Sequence, residues 1–132
     1  MNTRIIRLLL LSAVLALSAC TDPRGISISR LEGVRAADLR AEVAQLHTAL
    51  FAAAGATLVP VPPEMWPASL LKLRPLRMNL YRDGLAVSIR SAPGYEYGLH
   101  IVRAGAHEEL KSTERTQYER LQDGIYYFTQ KR

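Results

Sequence analysis

Apolar residues recur every three or four positions over residues 34–54, which is the spacing of one face of an α-helix. Asp38 lies early in this stretch, where the helix dipole favours an anion. Gly55 follows it, and glycine suits a left-handed C-terminal cap. We therefore predict a helix here with one apolar face that must pack on another element. That face consists of Leu39, Val43, Leu46, Leu50 and Ala53.

A proline-rich connection follows the predicted helix. The prolines within residues 60–63 favour an extended conformation and oppose a helix. Residues 64–73 can then form a short helical turn. Trp66 is the sole tryptophan, and we expect it to pack this connection against the domain, with ligand stacking as the alternative.

The second half of the chain alternates apolar and polar residues, as half-buried strands do. Asp83-Gly84 predicts a two-residue hairpin turn, because both residues tolerate the positive φ of a type I′ turn. A hairpin about this turn has one apolar and one polar face. The expected apolar pairs are Leu80 with Val87 and Met78 with Ile89, and the expected polar pairs are Asn79 with Ser88 and Arg77 with Arg90.

The predicted Arg77–Arg90 pair is unusual, because like charges directly opposite each other cost stability. The two arginines either form an anion-binding spot or splay apart at the surface. We favour the second interpretation.

A third strand is predicted after a loop at residues 91–94. Tyr97, Leu99 and Ile101 alternate with Glu96, Gly98 and His100. Glu96 and His100 therefore share a face. Four residues at ~3.3 Å each separate them by about 13 Å, which is too far for a direct acid–base dyad.

Asp123-Gly124 predicts a second tight hairpin, between residues 117–122 and 125–130. Aromatic residues lie on both of its faces, which indicates a strand covered on both sides or one exposed for binding. A register one residue off is the alternative to the expected faces. Those faces are Leu121 with Tyr126 and Phe128, and Tyr118 with Ile125 and Tyr127.

Together these elements predict an α+β fold in which one main helix packs on a four- to five-stranded antiparallel sheet built from β-hairpins. We expect a single small domain over residues 34–132. Residues 20–33 are expected to be a tether, in which Ile26 and Ile28 can form a short strand. Ten extended residues reach ~35 Å at most, so the domain stays near its point of attachment.

The point of attachment is suggested by the first twenty residues. Arg4 and Arg7 precede an apolar run over residues 8–17, which is too short for a membrane-spanning helix but typical of a secretory signal peptide. The sequence Leu-Ser-Ala-Cys at residues 17–20 resembles the lipobox of bacterial lipoproteins. The resemblance implies that residues 1–19 are removed and that Cys20 carries several acyl chains. Two or more chains anchor a protein stably.

Lipidation at Cys20 narrows the location and the partners. Thr21 rather than aspartate follows the cysteine, which by the same resemblance favours the outer membrane over the inner one, with the domain facing the periplasm. The mature part keeps 15 basic and 12 acidic residues, a net charge of +3. An exported chain meets little nucleic acid, so we expect attraction to an anionic envelope polymer or another envelope protein instead.

Candidate chemistry is sparse. Ser69 and Lys72 match the S-x-x-K pattern of penicillin-binding proteins, but the companion motifs are missing and the chain is too short for that fold. His47, His100 and His107 are scattered, without zinc-ligand spacing. No motif predicts a cofactor or a metal.

One further resemblance covers residues 66–128 loosely. Trp66-Pro67-Ala68-Ser69, the first Asp-Gly turn, residues 95–99 and Asp123 to Tyr127 are similar to small bacterial proteins that carry no known activity. The resulting prediction is a non-enzymatic binding or assembly-accessory lipoprotein, with a small envelope hydrolase as the alternative. The candidate binding surface consists of Trp66, Arg77, Arg90, Tyr95, Tyr97 and Tyr127.

Overall fold

The structure is a computed structural model that describes residues 23–55, 57–107 and 109–132; the lipobox at residues 17–20 lies outside them. Among the described residues, two α-helices precede the sheet, α1 (Pro23–Arg30) and α2 (Ala36–Ala54). Two 3₁₀ helices, Pro63–Met65 and Ala68–Leu73, form the connection that was predicted as helical turns. The strands are β1 (Leu58–Pro60), β2 (Arg77–Tyr81), β3 (Gly84–Ala92), β4 (Tyr95–Val102), β5 (Thr116–Gln122) and β6 (Ile125–Lys131).

The six strands form one antiparallel sheet in the order β1-β2-β3-β4-β6-β5. The predicted α+β class is therefore confirmed, with one strand more than expected. The additional strand is β1, which begins in the residues after α2 and ends at Pro60. It is short because proline cannot continue the hydrogen-bond ladder.

The main helix packs on one face of this sheet. Helix α2 ends where predicted, with Gly55 in the left-handed conformation at φ 61°. Its Leu39 and Val43 are fully buried against the inward-facing residues of the strands. Those strand residues include Met78, Leu80, Leu85, Val87, Leu99, Ile101, Ile125 and Tyr127. The opposite face, which we call the open face, carries the alternate residues of each strand.

The expectation of a strand near Ile28 is wrong, because α1 occupies this part of the tether. Ser27 and Leu31 are buried, and Leu31 belongs to the core cluster beneath the sheet. Arg30 donates a hydrogen bond to the carbonyl of Leu73 at 3.0 Å. Tertiary contacts therefore hold residues 23–31 in a helix that the local sequence does not favour.

The first predicted hairpin exists, but its register differs by two residues. Leu80 pairs with Leu85, Met78 with Val87, Asn79 with Ala86 and Arg77 with Ser88. The two-residue loop is therefore Arg82-Asp83, and Gly84 begins β3 without a positive φ. A Cβ at Gly84 would lie 2.1 Å from the Ile101 carbonyl oxygen, so glycine is required here by the close approach of β4.

The second hairpin turns at Asp123-Gly124 as predicted, with Gly124 at φ 71°. A bulge at Leu121 moves the register, so Tyr118 pairs with Phe128 instead of sharing a face with Tyr127. Strand β6 is buried on both faces, which was one of the two interpretations of its aromatic residues. Ser91 and Ala92, predicted as loop, extend β3.

Candidate functional site

A depression of about 260 Å³ lies on the open face of the sheet. Strands β2, β3, β4, β5 and β6 and the β2–β3 turn each contribute to it. Residues at every second position of a strand share a face, so the lining follows from strand register. The lining side chains are Tyr81, Asp83, Ala86, His100, Thr116, Tyr118, Phe128 and Gln130.

Aromatic rings form the frame of the depression around His100. The Tyr81 ring centroid lies 6.1 Å from that of His100, and the Tyr118 ring lies 6.0 Å away on an edge-to-face approach. Phe128 lies across Gly98, where a Cβ would come within 2.9 Å of the phenyl ring. Strands β2 and β5 each lie two positions from β4 in the sheet, on opposite sides, so the two tyrosines flank His100 from opposite directions.

Asp83 and His100 form the polar centre of the depression. His100 Nε2 lies 3.3 Å from Asp83 Oδ1. The imidazole is 5% exposed, whereas Asp83 is half-buried in the turn. The side-chain contact with His100 lowers the pKa of the Asp83 carboxyl against the opposing influence of burial, so this carboxyl is ionised at neutral pH.

The contact between Asp83 and His100 has an ion-pair distance without the geometry of a hydrogen bond. His100 Nε2 is buried and has no hydrogen-bond partner among the described residues. This nitrogen is also closed to solvent, so a ligand in the depression can contact the half-buried Asp83 carboxylate rather than His100 Nε2.

Both framing tyrosines are neutral at physiological pH. Burial raises the pKa of Tyr81, and the negative charges of Glu96 and Asp83 raise it further against the influence of Arg77. Burial, Asp83 and Tyr81 likewise raise the pKa of Tyr118. The two phenols can therefore donate hydrogen bonds and present ring faces to a ligand.

A second polar cluster lies on the same face around Glu96, which is 4% exposed. Ser88 donates a hydrogen bond to one carboxylate oxygen, and Arg77 and Arg132 donate to the other, Arg132 at 2.9 Å. Burial alone raises the pKa of Glu96, but these hydrogen bonds and the two guanidinium charges together lower it. Glu96 is thus an ionised carboxylate with its acceptor sites occupied.

The depression offers acid–base and hydrogen-bonding groups rather than a nucleophile with its base. Its hydroxyl groups belong to Thr116 and the two tyrosines. Within the described residues, no three of the His, Cys, Asp and Glu side chains are grouped so as to hold a metal ion. The site can bind a compact polar group or polarise a water molecule.

The residues of the predicted binding surface lie apart from one another in the structure. Tyr95 and Tyr97 lie on the helix side of β4 and stack at 6.4 Å, with Tyr95 40% exposed. Tyr127 is buried in the core on the same side. Trp66 is half-buried and donates its indole N–H to the Val61 carbonyl at 3.0 Å, as expected for a residue that packs the proline-rich connection.

Arg77 and Arg90 are not opposite each other, so the predicted arginine pair is wrong. Arg77 pairs with Ser88, and Arg90 pairs with Tyr97 after a bulge in β3. Arg77 contacts Glu96 on the open face. The like-charge repulsion that the sequence suggested is therefore replaced by an ion pair.

The remaining sequence candidates lie away from the depression, except His100. Ser69 donates a hydrogen bond to Glu42 on α2 at 2.9 Å, which gives the S-x-x-K pattern a packing role. His47 stacks on Phe51 at 4.7 Å, and burial followed by the charge of Arg103 lowers its pKa. His107 accepts a hydrogen bond from the Glu109 amide.

Sequence reasoning missed Asp83, Tyr81 and Tyr118 as site residues. It used Asp83 only as a turn residue. Alternation did place Tyr81 on the polar face of β2, and that pattern could have linked it to His100. Tyr118 could not be found in this way, because the bulge at Leu121 reverses its face.

No protein-family model, curated protein or solved structure matches this chain. Among residues 23–55, 57–107 and 109–132, no helix combines the length and the apolar content needed to cross a membrane. The function must therefore be argued from the site itself.

Proposed function

We propose that this chain is a lipid-anchored envelope protein whose domain binds a compact polar group in the depression of its sheet. The observation that carries the proposal is the depression itself, in which the rings of Tyr81, Tyr118 and Phe128 lie around the half-buried Asp83 carboxylate beside His100. Ligand sites combine apolar walls with a few directed polar groups, and this depression has that composition. The bound group belongs to a small envelope ligand or projects from a larger envelope component.

The position of α1 supports a short, directed tether. If Cys20 is the lipidated residue, only two residues lie between it and the start of α1 at Pro23, and the three steps along the chain reach about 10 Å at most. Leu31 fixes the end of α1 in the core on the helix side of the sheet. The depression opens on the opposite face, so it would point away from the membrane towards the periplasm, with the outer membrane as the expected site of attachment.

Site-specific photocrosslinking in native envelopes tests the binding proposal. A photoreactive residue at Gln130, exposed at the rim of the depression, should capture an envelope component. The same residue at Gln45, exposed on α2, is the matched control and should not capture it. Equal capture at both positions, or none at Gln130, would contradict binding at this site.

The anchor is tested separately by Cys20→Ser. We expect the wild-type chain to incorporate labelled fatty acid and to sediment with the outer membrane, and the variant to do neither. A variant that is processed and membrane-bound like the wild type would refute lipidation at Cys20.

The Asp83–His100 pair favours a second candidate function, a small envelope hydrolase. An imidazole oriented by a carboxylate can act as a general base towards water. Isolated envelope fractions incubated with the full chain should then release soluble products, and His100→Gln should abolish release. Ser69→Ala should leave release unchanged, because Ser69 is bonded to Glu42 away from the site. Absence of any product would leave binding as the function.

A further inference from the structure

The charge of the depression indicates the kind of group that it accepts. Asp83 is the carboxylate among its lining residues, and no lysine or arginine of the described ranges lines it. Arg103 is the nearby cation that acts on Asp83, and its Nε is hydrogen-bonded to the Arg82 carbonyl at 2.9 Å. Glu96, the other acidic group that acts on Tyr81, is neutralised by its two arginines. A cationic group therefore complements this end of the face.

The aromatic lining has the same preference. Tyr81, Tyr118 and Phe128 surround the position beside His100. The face of an aromatic ring attracts a cation placed within about 6 Å of its centroid. An anion would meet both the negative ring faces and Asp83, so the lining selects against it.

The Asp83 carboxylate narrows the cation further. His100 Nε2 lies 3.3 Å from Asp83 Oδ1, which places the carboxylate beside the aromatic rings. A nitrogen with several N–H groups can donate a charge-assisted hydrogen bond of about 2.8–2.9 Å to this carboxylate while it lies against a ring face. A quaternary ammonium has no N–H and cannot donate this bond.

We propose that the depression binds a primary ammonium group, held by Asp83 beside His100 and flanked by the rings of Tyr81 and Tyr118. This inference rests on the proposed function, because it names the chemical group that the binding site would take. It also differs from the expectation that the basic domain acts through an anionic polymer. The overall charge attracts such a polymer, whereas the local charge of the depression selects a cation.

Four probes of similar size test the proposal: n-butylammonium, butyltrimethylammonium, n-butanol and butyrate. Each is titrated into the full chain in detergent, and the imidazole resonances of His100 are followed by nuclear magnetic resonance. We expect n-butylammonium to bind about tenfold more tightly than n-butanol, the ratio that one charge-assisted contact supplies. Butyrate should not bind.

Asp83→Asn should remove this preference and weaken n-butylammonium binding about tenfold. Asp123→Asn is the matched control, because Asp123 occupies the other hairpin turn and pairs with Arg120 outside the depression. It should bind as the wild type does. Tyr118→Leu removes one ring face and should also weaken binding of n-butylammonium.

The outcomes separate this inference from the proposed function. Equal binding of n-butanol and n-butylammonium, unaffected by Asp83→Asn, would overturn the ammonium inference while leaving a binding site in place. Equal binding of butyltrimethylammonium would overturn the hydrogen bond from the ammonium group to Asp83. No shift with any probe, together with no photocrosslink at Gln130, would overturn both proposals.

Discussion

The open face of the sheet holds two carboxylates in contrasting environments. Glu96, in the middle of the sheet, is 4% exposed and accepts hydrogen bonds from Ser88, Arg77 and Arg132. Asp83, in a turn at the end of β2, is half-buried and lies 3.3 Å from a histidine in poor hydrogen-bond geometry. The pKa of each is lowered, so both are charged at neutral pH.

These two environments determine which of the two carboxylates is available to a ligand. A buried charge persists only when its partners satisfy it, and Glu96 has its partners within the protein. Its cluster therefore joins β2, β3 and β4 to Arg132. Asp83 retains acceptor capacity beside the unpaired His100 Nε2. We expect the cluster around Glu96 to determine the stability of the domain and the depression that contains Asp83 to determine ligand binding.

We expect Gly98→Ala to have the largest effect on both the Glu96 cluster and the depression, because Gly98 lies between Glu96 and His100 on β4. The new Cβ would lie 1.9 Å from the Val87 carbonyl oxygen and 2.9 Å from the Phe128 ring. Moving the backbone of β3 and an aromatic ring should lower the free energy of unfolding by about 3 kcal/mol. Urea denaturation followed by circular dichroism measures this change.

Ser91→Ala is the control for Gly98→Ala, because Ser91 is exposed on the neighbouring strand. It should change the free energy of unfolding by less than about 0.5 kcal/mol. If Gly98→Ala changed the free energy of unfolding as little as Ser91→Ala does, the close packing around Gly98 would be disproved. The Glu96 cluster and the depression would then not depend on that packing.

The next effect compares the two carboxylates directly through the amide substitutions Glu96→Gln and Asp83→Asn. Glu96→Gln removes the negative charge that the two arginines face and one of the two acceptor oxygens, and it should cost about 2 kcal/mol in unfolding free energy. Asp83→Asn keeps a residue that suits the turn and should cost less than about 0.5 kcal/mol. Urea denaturation of the three proteins at pH 7 provides the measurement.

The two variants should rank in the opposite order in their effect on ligand binding. Asp83→Asn should weaken n-butylammonium binding, whereas Glu96→Gln should not, provided that the variant is measured below its unfolding transition. Equal losses of stability in the two variants would show that the carboxylates do not differ as we argue.

Alternation along the strands predicted the faces of the first hairpin and of β4 because side-chain direction depends only on odd or even position. The actual register shifts by two residues, so Leu80 pairs with Leu85 instead of Val87 and the same face stays apolar. Glu96 and His100 were placed on one face correctly for the same reason. Helix α2 was predictable because a single apolar stripe and a glycine cap agreed.

The remainder of the site depends on features that no local pattern contains. The bulge at Leu121 adds one residue to β5 and turns Tyr118 to the open face. Tyr118 then lies near enough to Tyr81 for that residue to influence its pKa, although their strands are four positions apart in the sheet order. Helix α1 likewise depends on contacts of Leu31 with residues far along the chain. Local sequence patterns cannot predict such contacts between residues that lie far apart in the chain.

A smaller effect is expected in the pH dependence of stability. The folded pKa of Glu96 is lowered, so the unfolded carboxyl takes up its proton first as pH falls. The stability that Glu96 contributes is therefore present at neutral pH and is lost below about pH 4 as pH approaches the folded pKa. Urea denaturation between neutral and acidic pH should show this loss, and Glu96→Gln should make it shallower.

Asp83 has the same sign, because the contact with His100 lowers its folded pKa. Because Asp83 is half exposed, water screens that contact. Asp83→Asn should therefore reduce the loss of stability at acidic pH less than Glu96→Gln does. If Asp83→Asn reduced the loss of stability at acidic pH more than Glu96→Gln does, Asp83 rather than Glu96 would be the carboxylate that stabilises the fold.

The smallest effect is expected at the ion pair that joins α1 to β5, which provides an exposed counterpart to the Glu96 cluster. Arg24 donates two hydrogen bonds to Glu119, at 2.7 and 2.5 Å, but both side chains are about half exposed, at 43% and 51%. Water and salt weaken such a pair, and ordering two long side chains offsets the attraction. Arg24→Gln should therefore leave the urea midpoint unchanged, while Glu96→Gln lowers it. A large loss in Arg24→Gln that added salt reproduces in the wild type would show that α1 is held by charge rather than by the burial of Ser27 and Leu31.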